Sequence, residues 1–129
     1  MQEGRLLGDC DFPSSFDNSA YSIFVDMTAV VMSGGVVVGG TLAAYKSGEL
    51  RGVVASTNTP FGPYSGEPHF QLMVFGDSSD TSDVITFKIK KADGTVADIA
   101  ETYTWTPPSP HAEGDVFSPY VMHAGSFAP

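Results

Sequence analysis

The stretch that decides the fold is Val84-Ile-Thr-Phe-Lys-Ile-Lys90, continued through Lys91-Ala-Asp93-Gly94 into Thr95-Val-Ala-Asp-Ile99. Ile85, Phe87 and Ile89 fall on one side of its first run, and Thr86, Lys88 and Lys90 on the other. A period of two marks a half-buried strand, because successive side chains of an extended chain leave opposite faces. Asp93-Gly94 is a strong hairpin signal, so residues 95–99 are expected to return alongside. A hairpin with one wet face and one apolar face needs a second apolar layer to cover it.

Outward from this hairpin the same grammar repeats. Phe70 to Phe75 sets Phe70, Leu72 and Val74 against Gln71, Met73 and Phe75. Tyr21 to Met32 reads as one long strand, with Tyr21, Ile23, Val25, Met27, Ala29 and Val31 on one face and Ser22, Asp26 and Thr28 on the other. Phe24, Val30 and Met32 interrupt the polar side, which predicts that this face is partly covered too. Gly34-Gly35 turns into Val36-Val37-Val38, Gly39-Gly40 leads to Thr41–Lys46, and Ser47-Gly48 predicts a tight hairpin into Glu49–Ser56. Thr57 to Pro68 holds three prolines and two glycines and is expected as a surface loop. Gly76 to Asp83 reads as a small acidic loop. Thr102 to Thr106 is a last β-prone run around Tyr103 and Trp105, closed by Pro107-Pro108-Ser109-Pro110. No segment carries a helical apolar period. The prediction is an all-β fold: an Ig-like, two-sheet antiparallel β-sandwich of seven to eight strands over residues 21–106. An irregular N-terminal arm (1–20) and a Pro-rich C-terminal arm (107–129) are expected to flank it.

Composition excludes several classes. The 129 residues suit one domain, and 42% hydrophobic content supports a real core. Fifteen acids against six bases give a formal net charge of −9, which argues against nucleic acid and anionic membranes as partners. The bases are Arg5, Lys46, Arg51, Lys88, Lys90 and Lys91, so the last 38 residues carry five acids and no base. That asymmetry predicts a tail that meets a basic surface. Cys10 is the only cysteine, so neither an intramolecular disulfide nor a multi-thiolate zinc site can form. There is no apolar stretch of signal-peptide length at the N-terminus, nor a run of about 18 apolar residues to form a membrane helix.

Candidate chemistry is sparse. Asp77, Asp80 and Asp83 share one loop and could hold Ca²⁺ with hard oxygen ligands, although acidic turns of this kind also serve simply as solvated connections. His111 and Glu113, with His123, could ligate a metal, but they match no recognised spacing; His69 is the third histidine. No nucleophile elbow, metalloprotease helix or phosphate loop is present, so an enzyme is not expected, and no cofactor. The aromatics carry more. Phe61, Tyr64 and Phe70 lie in or beside the Pro-rich loop, and Tyr103, Trp105 and Tyr120 lie toward the C-terminus. Exposed rings would make stacking platforms for a glycan or anchors for a protein; buried, Tyr103 and Trp105 would complete the core. Arg51, following an apolar Leu50, is expected in a structural ion pair.

Tyr21-Ser-Ile-x-Val-x-Met-Thr-Ala-Val30, Gly40-x-Leu-Ala-Ala-Tyr-x-x-Gly-Glu-Leu-Arg-Gly-Val53, Phe70-x-Leu-x-Val-Phe-Gly76 and Ile85-Thr-Phe-Lys-Ile89 together resemble a β-sandwich module that recurs in surface and secreted proteins of Bacteroidetes. The resemblance implies a sandwich in an extracellular-type setting, with adhesive or carbohydrate-binding roles and no catalytic residues. A small, acidic, disulfide-free sandwich with irregular ends and no export signal also resembles a phage capsid decoration protein. Two functions are therefore expected. The first is a virion structural protein at the particle surface, docking on capsid subunits or on its own copies through arms that bury Leu6, Leu7, Phe12 or Phe127. The alternative is an extracellular or cell-surface module that binds polysaccharide through Phe61 and Tyr64.

Overall fold

The computed structural model describes residues 12, 13, 15–17, 19, 21, 23–60, 62–76, 84–104, 111–113 and 119–128, with backbone alone for 23 and 111–113. Cys10, Leu6, Leu7 and the three loop aspartates Asp77, Asp80 and Asp83 lie outside them, as do Phe61 and Trp105.

Among the described residues eleven strands follow in chain order: β1 (Ile23–Ser33), β2 (Val36–Val38), β3 (Thr41–Lys46), β4 (Glu49–Ala55), β5 (Thr57–Asn58), β6 (Pro68–Gly76), β7 (Val84–Lys90), β8 (Val96–Asp98), β9 (Tyr103–Thr104), β10 (His111–Glu113) and β11 (Tyr120–His123). The first sheet is built on β1. One edge of β1 pairs antiparallel with β6, from Ile23↔Gly76 to Ala29↔Phe70, and then with β2, from Val31↔Val38 to Ser33↔Val36. Its other edge takes β10 and β11, both parallel. The second sheet runs β4-β3-β7-β8, with β9 also on β7. Alternation does what the sequence predicts: Val25, Met27, Leu72, Val74, Phe87 and Ile89 interlock between the sheets in one core with the other inward residues. The outer face of β1 is covered in part, with Thr28 at 6% and Val30 at 1% exposure but Asp26 exposed.

The expected turns form. Ser47 and Gly48 both take left-handed backbone (φ 51° and 81°), the geometry whose twist suits a two-residue hairpin. At Asp93-Gly94 the Lys91 carbonyl accepts from the Gly94 N–H (3.0 Å), and the Lys91 N–H donates to Thr95 (2.9 Å). Asp93 Oδ1 accepts from the Thr95 N–H and hydroxyl (3.0 and 2.6 Å), and these bonds hold its carboxyl below the usual range.

Three expectations need correction. The strands number more than seven or eight, because two- and three-residue pieces such as β2, β5 and β9 add pairing that leaves no period to read. The 57–68 stretch is a loop only in its middle. Thr57 and Asn58 pair with His69 and Pro68, where Pro68 is tolerated as the first residue of β6. The region expected as an irregular C-terminal arm joins the sandwich twice, as β10 and again from residue 120 on. Met122 is fully buried in the core, and Phe127 packs against it. The Ala124 N–H donates to Met32 (2.9 Å), the Gly125 N–H to Asp98 (2.9 Å), and Val96 and Ala128 exchange two bonds. This segment straps the first sheet to β8 of the second and covers an edge that would otherwise offer free backbone groups.

Candidate functional site

The site grows from an interrupted ladder. β5 pairs with β6 as Thr57↔His69 and Asn58↔Pro68. Continued along the chain, that register would set Ala55 opposite Gln71, Val53 opposite Met73 and Arg51 opposite Phe75. Here β4 pairs with β3 instead, and no backbone hydrogen bond joins β4 to β6 among the described residues. The Ser56 N–H donates to Gly40 (2.8 Å), toward β3, so the backbone groups of Val53 and Ala55 point away from β3. The Phe75 carbonyl accepts from Arg51 Nη1 (3.2 Å), so it faces away from β1. At period two, Gln71 and Met73 turn their backbone groups the same way. A seam with polar backbone on both lips thus runs between β4 and β6.

Both ends of the seam are pinched shut. The β5–β6 pair closes one. At the other, Gly52 lies directly against the Met73 carbonyl, in space that a β-carbon would need. Over the seam lies a groove of about 220 Å³ lined by Phe16, Val53, Val54, Gln71, Met73 and Phe75. Met73 is 39% exposed.

Aromatic rings build one wall. Phe16 stacks on Tyr21 (5.7 Å, 29°) and meets Phe75 at 5.7 Å, and Phe24 meets Phe75 at 5.8 Å. Arg51 lies with its guanidinium 4.7 Å from the Tyr21 ring centroid. It is buried, and its Nη2 and Nε donate to Glu49 Oε1 (3.0 and 3.2 Å), as the expected ion pair. Arg51 thereby ties β4, the β6 edge and Tyr21 together, and it holds the aromatic wall in place.

The groove's polar side chain is Gln71. It stands directly opposite Thr28 across the β1–β6 ladder, and Thr28 Oγ1 donates to Gln71 Oε1 (3.1 Å). Asp26, exposed on the same face, is the cross-strand neighbour of Met73.

The predicted site residues are placed as follows. Phe70 is fully buried and Tyr103 is 9% exposed, so both are core rings with no face to offer a ligand. Tyr120 is half-buried, packs against the core and donates its hydroxyl to Thr102 (3.0 Å). Tyr64 is half-buried in a loop whose chain bonds to itself: its carbonyl accepts from the Glu67 N–H (2.9 Å). Phe16, Tyr21, Phe24 and Phe75 were missed, because their clustering depends on pairing that no local period reveals.

The side chains of His111 and Glu113 lie outside the described residues; the other two histidines have structural partners. His69 is buried beside Thr59, whose hydroxyl donates to the Glu67 carbonyl (2.6 Å). That hydroxyl has one proton, so its 3.0 Å contact with His69 Nδ1 is made by an Nδ1–H donor. His123 Nδ1 meets Glu101 Oε2 (2.5 Å), while the His123 N–H donates to Glu101 Oε1 (2.6 Å). Burial pushes the Glu101 carboxyl up, but these two bonds outweigh it and leave the pKa lowered. Among the described residues, no three His, Cys, Asp or Glu side chains come together as metal ligands would. A second, open cleft lies between Val38–Gly40 and the 91–93 turn, but the Asp93 carboxylate is taken by Thr95, and Lys91 sits over the Phe127 ring (4.5 Å). Compared with known protein families, curated proteins and solved structures, the chain matches none.

Proposed function

We propose that this protein is a non-enzymatic, Ig-like binding module of a particle or cell surface that engages carbohydrate through the groove between β4 and β6. One observation carries the reading: a concave strip of aromatic and apolar side chains with an oriented amide at its edge. Sugar rings offer this mixture in return, with C–H faces for the apolar wall and hydroxyls for the polar group. Residues 120–128 of the expected C-terminal arm pack on the sandwich, so this reading does not use them for docking. Affinity electrophoresis in gels containing neutral polysaccharides tests the reading. Retardation by at least one polysaccharide, lost in Gln71→Ala, is expected; migration unchanged in every gel sinks it.

A second reading, attachment to capsid subunits as a decoration protein, draws support from Val36 and Val84, which are 63% and 50% exposed. Co-sedimentation with assembled shells, abolished by Val36→Asp or Val84→Asp, is its test.

A further inference from the structure

The groove's shape and its one oriented amide narrow the ligand. An extended peptide strand cannot enter the seam, because the β5–β6 pair blocks one end and Gly52 against Met73 blocks the other. What fits is compact, with one apolar face for Phe16, Phe75, Met73 and Val53. The polar edge is set from below. Thr28 is buried and Gln71 exposed, and the hydroxyl's single proton goes to Gln71 Oε1. With its oxygen engaged, the amide presents Nε2 and its two N–H donors outward. Asp26, diagonal to Gln71 across the ladder, adds carboxylate acceptors on the same face. A donor beside an acceptor matches a pair of neighbouring hydroxyls, each of which both donates and accepts. The Asp26 carboxylate and the net charge of −9 repel uronic and sulfated sugars.

We propose that the groove is a subsite for one neutral pyranose ring, and that buried Thr28 is the positioning residue that makes Gln71 present its NH₂ group to the sugar. This rests on the carbohydrate reading above and adds the ligand class and the specificity determinant.

The test titrates the intact chain by NMR and calorimetry with cellohexaose, xylohexaose, mannohexaose and chitohexaose, and with hexagalacturonate as the anionic comparison. At least one neutral oligosaccharide is expected to shift the amide signals of residues 71–75 and to bind more tightly than hexagalacturonate. Thr28→Val is expected to weaken that ligand by about tenfold, the scale of one lost hydrogen bond in a binding site. Thr28→Ser, which keeps the hydroxyl, restores binding. Gln71→Leu, at an exposed position, gives a similar loss with Thr28 left in place, and adding Thr28→Val to it costs no further affinity. Wild-type affinity in Thr28→Val, or a full further loss in the Gln71→Leu background, overturns the role of Thr28 while the carbohydrate reading stands. Preference for hexagalacturonate overturns the neutral-sugar assignment. No binding by any of the oligosaccharides overturns both.

Discussion

Gly52 of β4 lies directly against the carbonyl oxygen of Met73 in β6, where any β-carbon would overlap it. The two sheets of the sandwich come together edge to edge at this point, without a ladder between them. The contact closes one end of the seam beneath the groove and, with Arg51 bonded to the Phe75 carbonyl one step away, sets the distance between β4 and β6. Alanine at this position must push backbone against backbone, which no rotamer change relieves.

Gly52→Ala is therefore expected to destabilise the fold by at least about 2 kcal/mol, as overpacking at a tight contact does. Gly125→Ala is the comparison, since a β-carbon there meets only an ordinary contact 3.5 Å from the Asp98 carbonyl. Urea unfolding of the two variants should separate them clearly; equal midpoints would contradict the close approach.

Arg51→Lys keeps a charge but loses the planar fork that serves Glu49 and Phe75 together and the stack on Tyr21. The expected loss is about 1–3 kcal/mol. Glu49→Gln should cost less, because Glu49 is 62% exposed and Gln still offers an acceptor. Reversal of that order in denaturant titrations would mean that Arg51 does not organise the seam.

Thr59→Val removes the hydroxyl that serves the Glu67 carbonyl and His69 Nδ1–H together; the carbonyl keeps its bond from the Thr59 N–H (2.9 Å), but the buried His69 Nδ1–H is left unpaired. A loss of about 1–3 kcal/mol is expected, with Thr59→Ser much milder. Hydrogen exchange should quicken at the Gly66 amide, which donates to the Thr59 carbonyl (2.9 Å). Unchanged protection there would show that the loop is held by other means.

Glu101 has a lowered pKa in the fold: burial raises it, and the two bonds to His123 more than offset that. A carboxyl with a depressed folded pKa contributes stability above its unfolded value. That contribution is lost as pH falls through the folded one. Stability measured from roughly pH 6 down to pH 3 should therefore fall less steeply in Glu101→Gln than in the parent chain. Parallel curves would show that the clasp on β11 does not carry this linkage.

Met122→Ala is expected to cost about 2–5 kcal/mol, the range for emptying a fully buried site. Removal of residues 119–129 should leave a chain without a cooperative thermal transition. A truncated protein that melted like the parent would restore the free-arm picture.

Much of the fold was legible along the chain. Strict alternation separated the two faces of β6 and assigned the inward face of β7, and the Gly34-Gly35, Ser47-Gly48 and Asp93-Gly94 pairs marked three hairpins where they occur. These are local matters: a period of two and a left-handed turn are written into neighbouring residues. The candidate site was not legible. Alternation puts Phe70 and Phe75 on opposite faces of one strand, but nothing local says that Phe75 walls a groove while Phe70 fills the core. Tyr120-Val-Met-His123 is too short to show a period, and its parallel place on β1 is chosen by an edge far away in the chain.

By itself, then, the sequence determined an all-β chain, the faces of its long strands, its tight turns and its acidity. Only the tertiary structure decided that β4 turns from β6 to β3, that Gly52 meets Met73, and that Phe16, Phe75 and Gln71 share one groove. The physical reason is that strand pairing between distant segments depends on every other pairing at once. A short polar or aromatic residue carries no mark of which distant neighbour it will face.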